Sequence, residues 1–216
     1  MTPFFCSWSG GKDSCLAFYR AVQRGGIPKF LFTMMSENQD RSHSHGIPVP
    51  VLEAQARSLK LPLIRRAASW DNYESVFIDA LNEMRSQGVT AGVFGDIDLE
   101  PHRAWVERVC GTAGIRAEEP LWQETRRELI KEFLRLGFKA VVVAIKRGVL
   151  NRKFLGRLIS FELIEEFEVA GIDPSGEKGE YHTLVVDGPA FSFPVRIKLK
   201  EQIYRDGYWF QDLGLE

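Results

Sequence analysis

No apolar run in this chain approaches the roughly 20 residues that a membrane-spanning helix needs, which excludes a helical bilayer span. Charge of one sign is not in excess: 28 Lys and Arg face 29 Asp and Glu, a net charge of -1. A protein whose main business is gripping nucleic acid through bulk charge is thereby excluded. Cysteine is scarce, at three (Cys6, Cys15 and Cys110), an odd number without metal-ligand spacing. A disulfide framework and a Cys-based zinc site are both out, and the thiols read as reduced and cytoplasmic. The start, "MTPFFCSWSGGKDS", has no basic region before its short apolar run, so no signal peptide is expected. Repeats and low-complexity segments are absent. What remains is ordinary: 216 residues, 44% hydrophobic and 26% charged, enough to bury a core without disulfide or metal staples.

Short apolar runs alternate with amphipathic ones. Residues 3–8, "KFLFTMMS", "PLIRRA", "VTAGVFGDI" and "KAVVVAIK" read as strands. Between them, "VPVLEAQARSLKL", "NYESVFIDALNEMRSQG", "PHRAWVERVCGTAG" and "QETRRELIKEFLRLG" read as helices. This rhythm predicts an α/β domain with a doubly wound parallel sheet over residues 1–146. Beyond Lys146 the rhythm changes. "GVLNRKFLGRLISFELIEEFEVAG" reads as helical, and "FPVRIKLKEQIYRDGYWFQDL" as a hairpin turning at Asp206-Gly207. Residues 147–216 are therefore expected to form a small C-terminal α+β domain.

The first strand ends in Ser9-Gly10-Gly11-Lys12-Asp13-Ser14, and a helix begins at once. In an open parallel sheet, ligands bind beyond the carboxyl ends of the strands. Gly10 and Gly11 let backbone N–H groups approach an anion, the helix start adds its dipole, and Lys12 adds a full charge. Ser9 and Ser14 supply hydroxyls. Asp13 either holds Mg²⁺ or caps the helix. The spacing is not that of the Walker A loop, which needs G-x-x-x-x-G-K-[ST]. A plain strand–helix turn is the alternative, and the whole hexamer favours anion binding over it.

Gly95-Asp96 ends another strand, where Asp96 either faces ribose or metal, with Glu100 and Arg103 on the rim, or caps the next helix. "EEPLW", with Pro120 and Trp122, reads as a packed strand end. In "GEKGEYHT", residues 176–183, two glycines gather Glu177, Glu180, His182 and Thr183. Carboxylates with a histidine can orient an amine and take its proton; a solvated turn before a strand is the alternative.

"SGGKDS" resembles the PP-loop of the N-type ATP pyrophosphatases, which cleave ATP between the α and β phosphates. The order "WSGGKDS", "GDI", "EPLW", "LGR" and "GEKGEYHTLVVDGPAF" is similar to the diphthine–ammonia ligase family, from Trp8 to about Phe191. The stretch "GDIDLEPHRAWVERVC" looks like its prokaryotic-type members. The resemblance implies an adenine nucleotide alpha-hydrolase fold and an ATP-dependent C–N ligase that makes an acyl-adenylate, releases pyrophosphate and lets ammonia displace AMP. It implies ATP binding by Ser9, Gly10, Gly11, Lys12, Asp13, Ser14, Gly95 and Asp96, and a Mg²⁺ assisted by Asp13. Glu177, Gly179, Glu180, Tyr181, His182 and Thr183 would form the acceptor side, with Lys12, Glu180 and His182 as the catalytic groups. The implied partners are ATP, ammonia and a carboxylate acceptor, which is a modified histidine on a translation factor if the source makes diphthamide. A homo-oligomer is compatible with the sequence.

Other signals have bland readings. His43 and His45 lie in a loop without further metal ligands in sequence, and Cys6 and Cys15 have the apolar neighbours of inert thiols. An RNA-modifying or sulfur-transferring PP-loop enzyme and a non-catalytic ATP-binding regulator remain the two alternatives.

Overall fold

The computed structural model describes residues 1–43 and 45–216, and the chain divides into two compact units. The first comprises Met1–Ser9, Asp13–Ser44 and Lys60–Gln123. Its five strands are β1 (Pro3–Ser7), β2 (Ile27–Met35), β3 (Leu63–Ala67), β4 (Ala91–Val93) and β5 (Arg116–Glu118), all parallel, in the order β3-β2-β1-β4-β5. The order reverses between β1 and β4, which is where an open sheet of this kind leaves a crevice at its carboxyl edge.

Successive residues of β1 face opposite sides of the sheet, and the packing follows that alternation. Phe5 joins Phe32 and Phe94 in a core covered by α3 (Tyr73–Ser86) and α4 (Glu100–Thr112), through Phe77, Leu81, Met84, Val106 and Val109. Phe4, on the other face, meets Phe18 of α1 (Lys12–Gln23), whose ring also packs edge-on against Trp8. The period-2 pattern of the strands and the period-3.6 pattern of the helices meet in these two layers. The doubly wound parallel sheet expected from the sequence is present.

The second unit comprises Gly10–Lys12, His45–Leu59 and Glu124–Glu216. It holds α2 (Val49–Leu59), α5 (Arg126–Arg135), α6 (Phe161–Val169) and an antiparallel sheet in the order β7-β6-β9-β8, from β6 (Lys139–Lys146), β7 (Tyr181–Asp187), β8 (Ile197–Arg205) and β9 (Tyr208–Leu215). The turn between β8 and β9 has Asp206 and Gly207 both at positive φ, 49° and 84°, as a two-residue hairpin with right-handed twist requires.

Two expectations are corrected here. "KAVVVAIK" is not a strand of the first sheet; as β6 it pairs with β7 and β9, so the boundary drawn after Lys146 falls too late by at least that strand and α5. A strand buried on both faces has a continuous apolar run whether its neighbours are parallel or antiparallel, and only the pairing tells them apart. The stretch after Lys146 is also less helical than its composition suggests. Asn151 caps a single 3-10 turn at Arg152–Phe154, accepting from the Lys153 N–H, and α6 begins only after Ser160, whose hydroxyl accepts from the Leu163 N–H at 3.2 Å.

Candidate active site

In the second unit, the middle of the glycine-rich loop is docked along β7. The Val185 N–H donates to the Gly10 carbonyl at 2.9 Å, and the Lys12 N–H donates to the Thr183 hydroxyl at 3.1 Å. β7 is an edge strand of its sheet, so these bonds satisfy groups that an edge leaves open. Gly10 has φ +80°, and a Cβ there would lie 2.8 Å from Gln55 Oε1; a Cβ on Gly11 would lie 2.5 Å from His45 Cε1. Conformation and space both require glycine at Gly10, and the close approach of His45 alone favours it at Gly11.

Gln55 is the residue that sequence reading misses. It sits on α2, fully buried, and its amide donates to the Gly10 carbonyl at 3.0 Å and the Val185 carbonyl at 2.7 Å. The signal was available: a glutamine stands among Val51, Leu52, Ala54 and Ala56 on the buried part of a helix, where an unpaired amide would be costly.

Around the docked loop stand Lys12, Tyr181, His182, Thr183 and His45. Lys12 is buried, with its ammonium 5.6 Å over the Tyr181 ring. His45 Nδ1 donates to the Thr183 carbonyl at 3.1 Å. Its ring lies 4.5 Å from that of His182. Burial, then His45, then Lys12 hold His182 well below the ordinary histidine value, so the ring is neutral at physiological pH and able to accept a proton or hydrogen bond. Glu180 has a different employment. Its two carboxylate oxygens accept from the Asp173 N–H at 3.3 Å and the Lys178 N–H at 3.0 Å, and so close the turn that carries Glu177 and Gly179. Tyr208 donates to the Gly179 carbonyl at 2.8 Å. Glu180 is thus bonded within the turn that carries the motif, while His182 is its neutral, buried ring.

The first unit contributes the ends of the loop. Ser9 and Ser14 hydroxyls are 3.0 Å apart. Gly95 packs directly on the start of α1, where a Cβ would lie 2.8 Å from the Asp13 carbonyl carbon and the Ser14 nitrogen. Asp96, next along, meets His102 Nδ1 at 3.2 Å. Among the described residues, no three His, Cys, Asp or Glu side chains are grouped to hold a metal. The cysteines are all buried; burial pushes the Cys6 and Cys15 thiols far up and Cys110 to about 12, so none offers a thiolate.

Comparison with known proteins also divides the chain near residue 120, although it leaves Gly10–Lys12 and His45–Leu59 with the N-terminal part. A family model described as the diphthamide synthase N-terminal domain matches residues 4–117, and one described as the diphthamide synthase C-terminal domain matches residues 125–216. A diphthine–ammonia ligase of Mus musculus is 26% identical, over 90% of this chain and 82% of its own. One of Schizosaccharomyces pombe is also 26% identical over 90% of this chain, which spans 36% of that longer protein. Among solved structures, a predicted subunit of tRNA methyltransferase from Methanocaldococcus jannaschii is 16% identical, over 87% of this chain and 98% of its own, with a TM-score of 0.47.

Proposed function

Since the chain belongs to the diphthamide synthase family, matched by both of that family's domains, we propose that it is an ATP-dependent amide-forming ligase of the diphthine–ammonia ligase kind. The observation that carries this reading is the docking of Gly10–Lys12 on the strand of the "GEYHT" motif, which brings Lys12 and His182 into one buried cluster.

In this reading, Ser9 to Ser14 cradle the β and γ phosphates of ATP, and Lys12 stabilises the charge that develops on departing pyrophosphate. Gly95 and Asp96 hold the nucleoside half. The acceptor carboxylate, that of diphthine on a translation factor, attacks the α phosphorus in line. Thr183, Tyr181 and the turn built by Glu177, Gly179 and Glu180 position that acceptor, and neutral His182 accepts a proton during amide formation. Ammonia then displaces AMP. Mg²⁺ fits as an ion carried on the phosphates, because it takes one or two carboxylates and keeps water. Asp13 would hold it, where it would neutralise phosphate charge. No helix among the described residues is long and apolar enough to cross a membrane, and cytoplasmic action suits the reduced thiols.

The buried thiols weigh against the sulfur-transfer alternative. The test is product identification by chromatography after incubation with Mg-ATP, ammonium and a diphthine-bearing translation factor. AMP and pyrophosphate are expected; ADP and phosphate would overturn the assignment.

A further inference from the structure

Two buried side-chain polar atoms lack a hydrogen-bond partner among the described residues: Glu119 Oε1 and Trp122 Nε1. Both belong to the turn that follows β5, at the carboxyl edge of the parallel sheet, where the backbone N–H of Trp122 donates to the backbone carbonyl of Glu119. A buried polar atom without a partner is uncommon in a native fold and needs a reason. Here both orphans fall in one place. Arg103 connects them, with Nε 3.5 Å from the second oxygen of Glu119 and its guanidinium 4.7 Å over the Trp122 ring.

The Glu119 side chain is only 6% exposed, yet three carboxylates act on it, those of Asp96, Glu100 and Glu107, against the one guanidinium of Arg103. Cys110 also faces it, as a neutral thiol. Burial first and Asp96 second push Glu119 up to about 7, which Arg103 only partly opposes. The site is thus short of positive charge, and its orphaned oxygen wants a donor. A chelated metal is not indicated, since no three donor side chains converge among the described residues. The turn is tied to the helix that the nucleotide loop begins: Arg20 of α1 donates to the Pro120 carbonyl at 2.9 Å, and Gly95, beside Asp96, packs on Asp13 and Ser14.

We propose that Glu119, with Asp96 beside it and Trp122 three residues on, is the nitrogen subsite, which receives ammonium and takes a proton from it. This rests on the ligase reading above. Ammonium has no lone pair and cannot attack; giving one proton to the Glu119 carboxylate frees the pair. Nitrogen then forms the C–N bond to the acyl carbon of the adenylate. The C–O bond to AMP breaks, its electron pair leaves on the AMP phosphate, and the second proton shed by nitrogen is the one that His182 accepts in the reading above. The Trp122 N–H has the opposite polarity and suits the acyl oxygen, on which negative charge grows as nitrogen adds.

The experiment compares ammonium with hydroxylamine, which is a neutral nucleophile near pH 7 and needs no proton removed first. With the diphthine-bearing translation factor as acceptor, Glu119→Gln is expected to lower kcat/KM for ammonium about 100-fold, the scale of a general base. KM for ATP should stay within about twofold, and hydroxamate formation from hydroxylamine should be largely spared. In the wild type, kcat/KM for ammonium should rise through an acid limb near pH 7 that Glu119→Gln removes. Trp122→Phe keeps the ring under Arg103 and should cost about tenfold with both nucleophiles. Equal loss with both nucleophiles in Glu119→Gln, or an unchanged ammonium profile, would overturn the proposal while leaving the ligase reading intact. A wild-type protein that releases no AMP with either nucleophile would overturn both.

Discussion

The two clusters of ionisable groups in this molecule are built on opposite terms. In the second unit, Lys12, His45, His182 and Thr183 surround a loop whose backbone is bonded at every turn: Gly10 to Val185 and Gln55, Lys12 to Thr183, Thr183 to His45. In the first unit, Glu119 and Trp122 each leave a buried polar atom unpartnered among the described residues, in a surplus of carboxylates. A satisfied network holds a shape; an unsatisfied one waits for something to complete it. The difference separates a region whose backbone is held in place so that its lysine and histidine can act from a region left open for a ligand to complete.

The largest expected effect tests whether the satisfied cluster is more than scaffold. Lys12→Ala should reduce AMP release at least about 100-fold, the scale seen when one charge-stabilising group is removed from a transition state. Turnover within about threefold of wild type would reduce that cluster to architecture. Next, Gln55→Leu leaves the buried Val185 carbonyl without that donor and should destabilise the fold by about 2 kcal/mol in urea unfolding. It should also weaken ATP binding in calorimetry; a stable variant with unchanged affinity would show that the loop does not need its clamp.

Glu119→Gln sharpens the comparison from the other side. A carboxyl raised from 4.5 to about 7 binds its proton more tightly in the folded state. Its ionisation therefore costs stability progressively from about pH 4.5 to 7, and fully above that. The variant should match wild type near pH 4 and exceed it by about 1–2 kcal/mol at pH 8, if solvent screening is allowed for. A gain independent of pH would mean that Glu119 is not held at a cost. The smallest effect is spectroscopic. His182 is depressed chiefly by burial and then by His45, so His45→Ala should move its NMR titration upward without returning it to the ordinary value. Because the depressed value favours protonation of the unfolded chain, wild type loses this contribution as pH falls below about 6.5.

Much of this was legible in the chain. The Gly10-Gly11 pair after an apolar run, and the Asp206-Gly207 turn, announce themselves because a backbone conformation needs particular residues. β6 did not, since "AVVVAI" buried on both faces has no mark of its partners' direction. Gln55 and Glu119 escaped for another reason. Each is a polar residue whose importance comes from what surrounds it: two carbonyls distant in sequence for Gln55, and a rim of carboxylates drawn from α4 and the turn after β4 for Glu119. His45 reads in sequence only as part of a loop that folds over nucleotide or is mobile, and only folding brings it to His182. Local rules see the residue, while its charge environment is a property of the tertiary structure.

The bond from the Lys12 N–H to Thr183 joins residues 171 positions apart. During synthesis the amino-terminal segments emerge first, and the strand that receives Gly10–Lys12 comes among the last. A ribosome-bound chain that has not yet reached residue 183 has the glycines and the lysine but no edge on which to lay them. The seat of the glycine-rich loop is consequently finished near the end of translation, and an incomplete polypeptide lacks the bonds that hold Gly10–Lys12 in place.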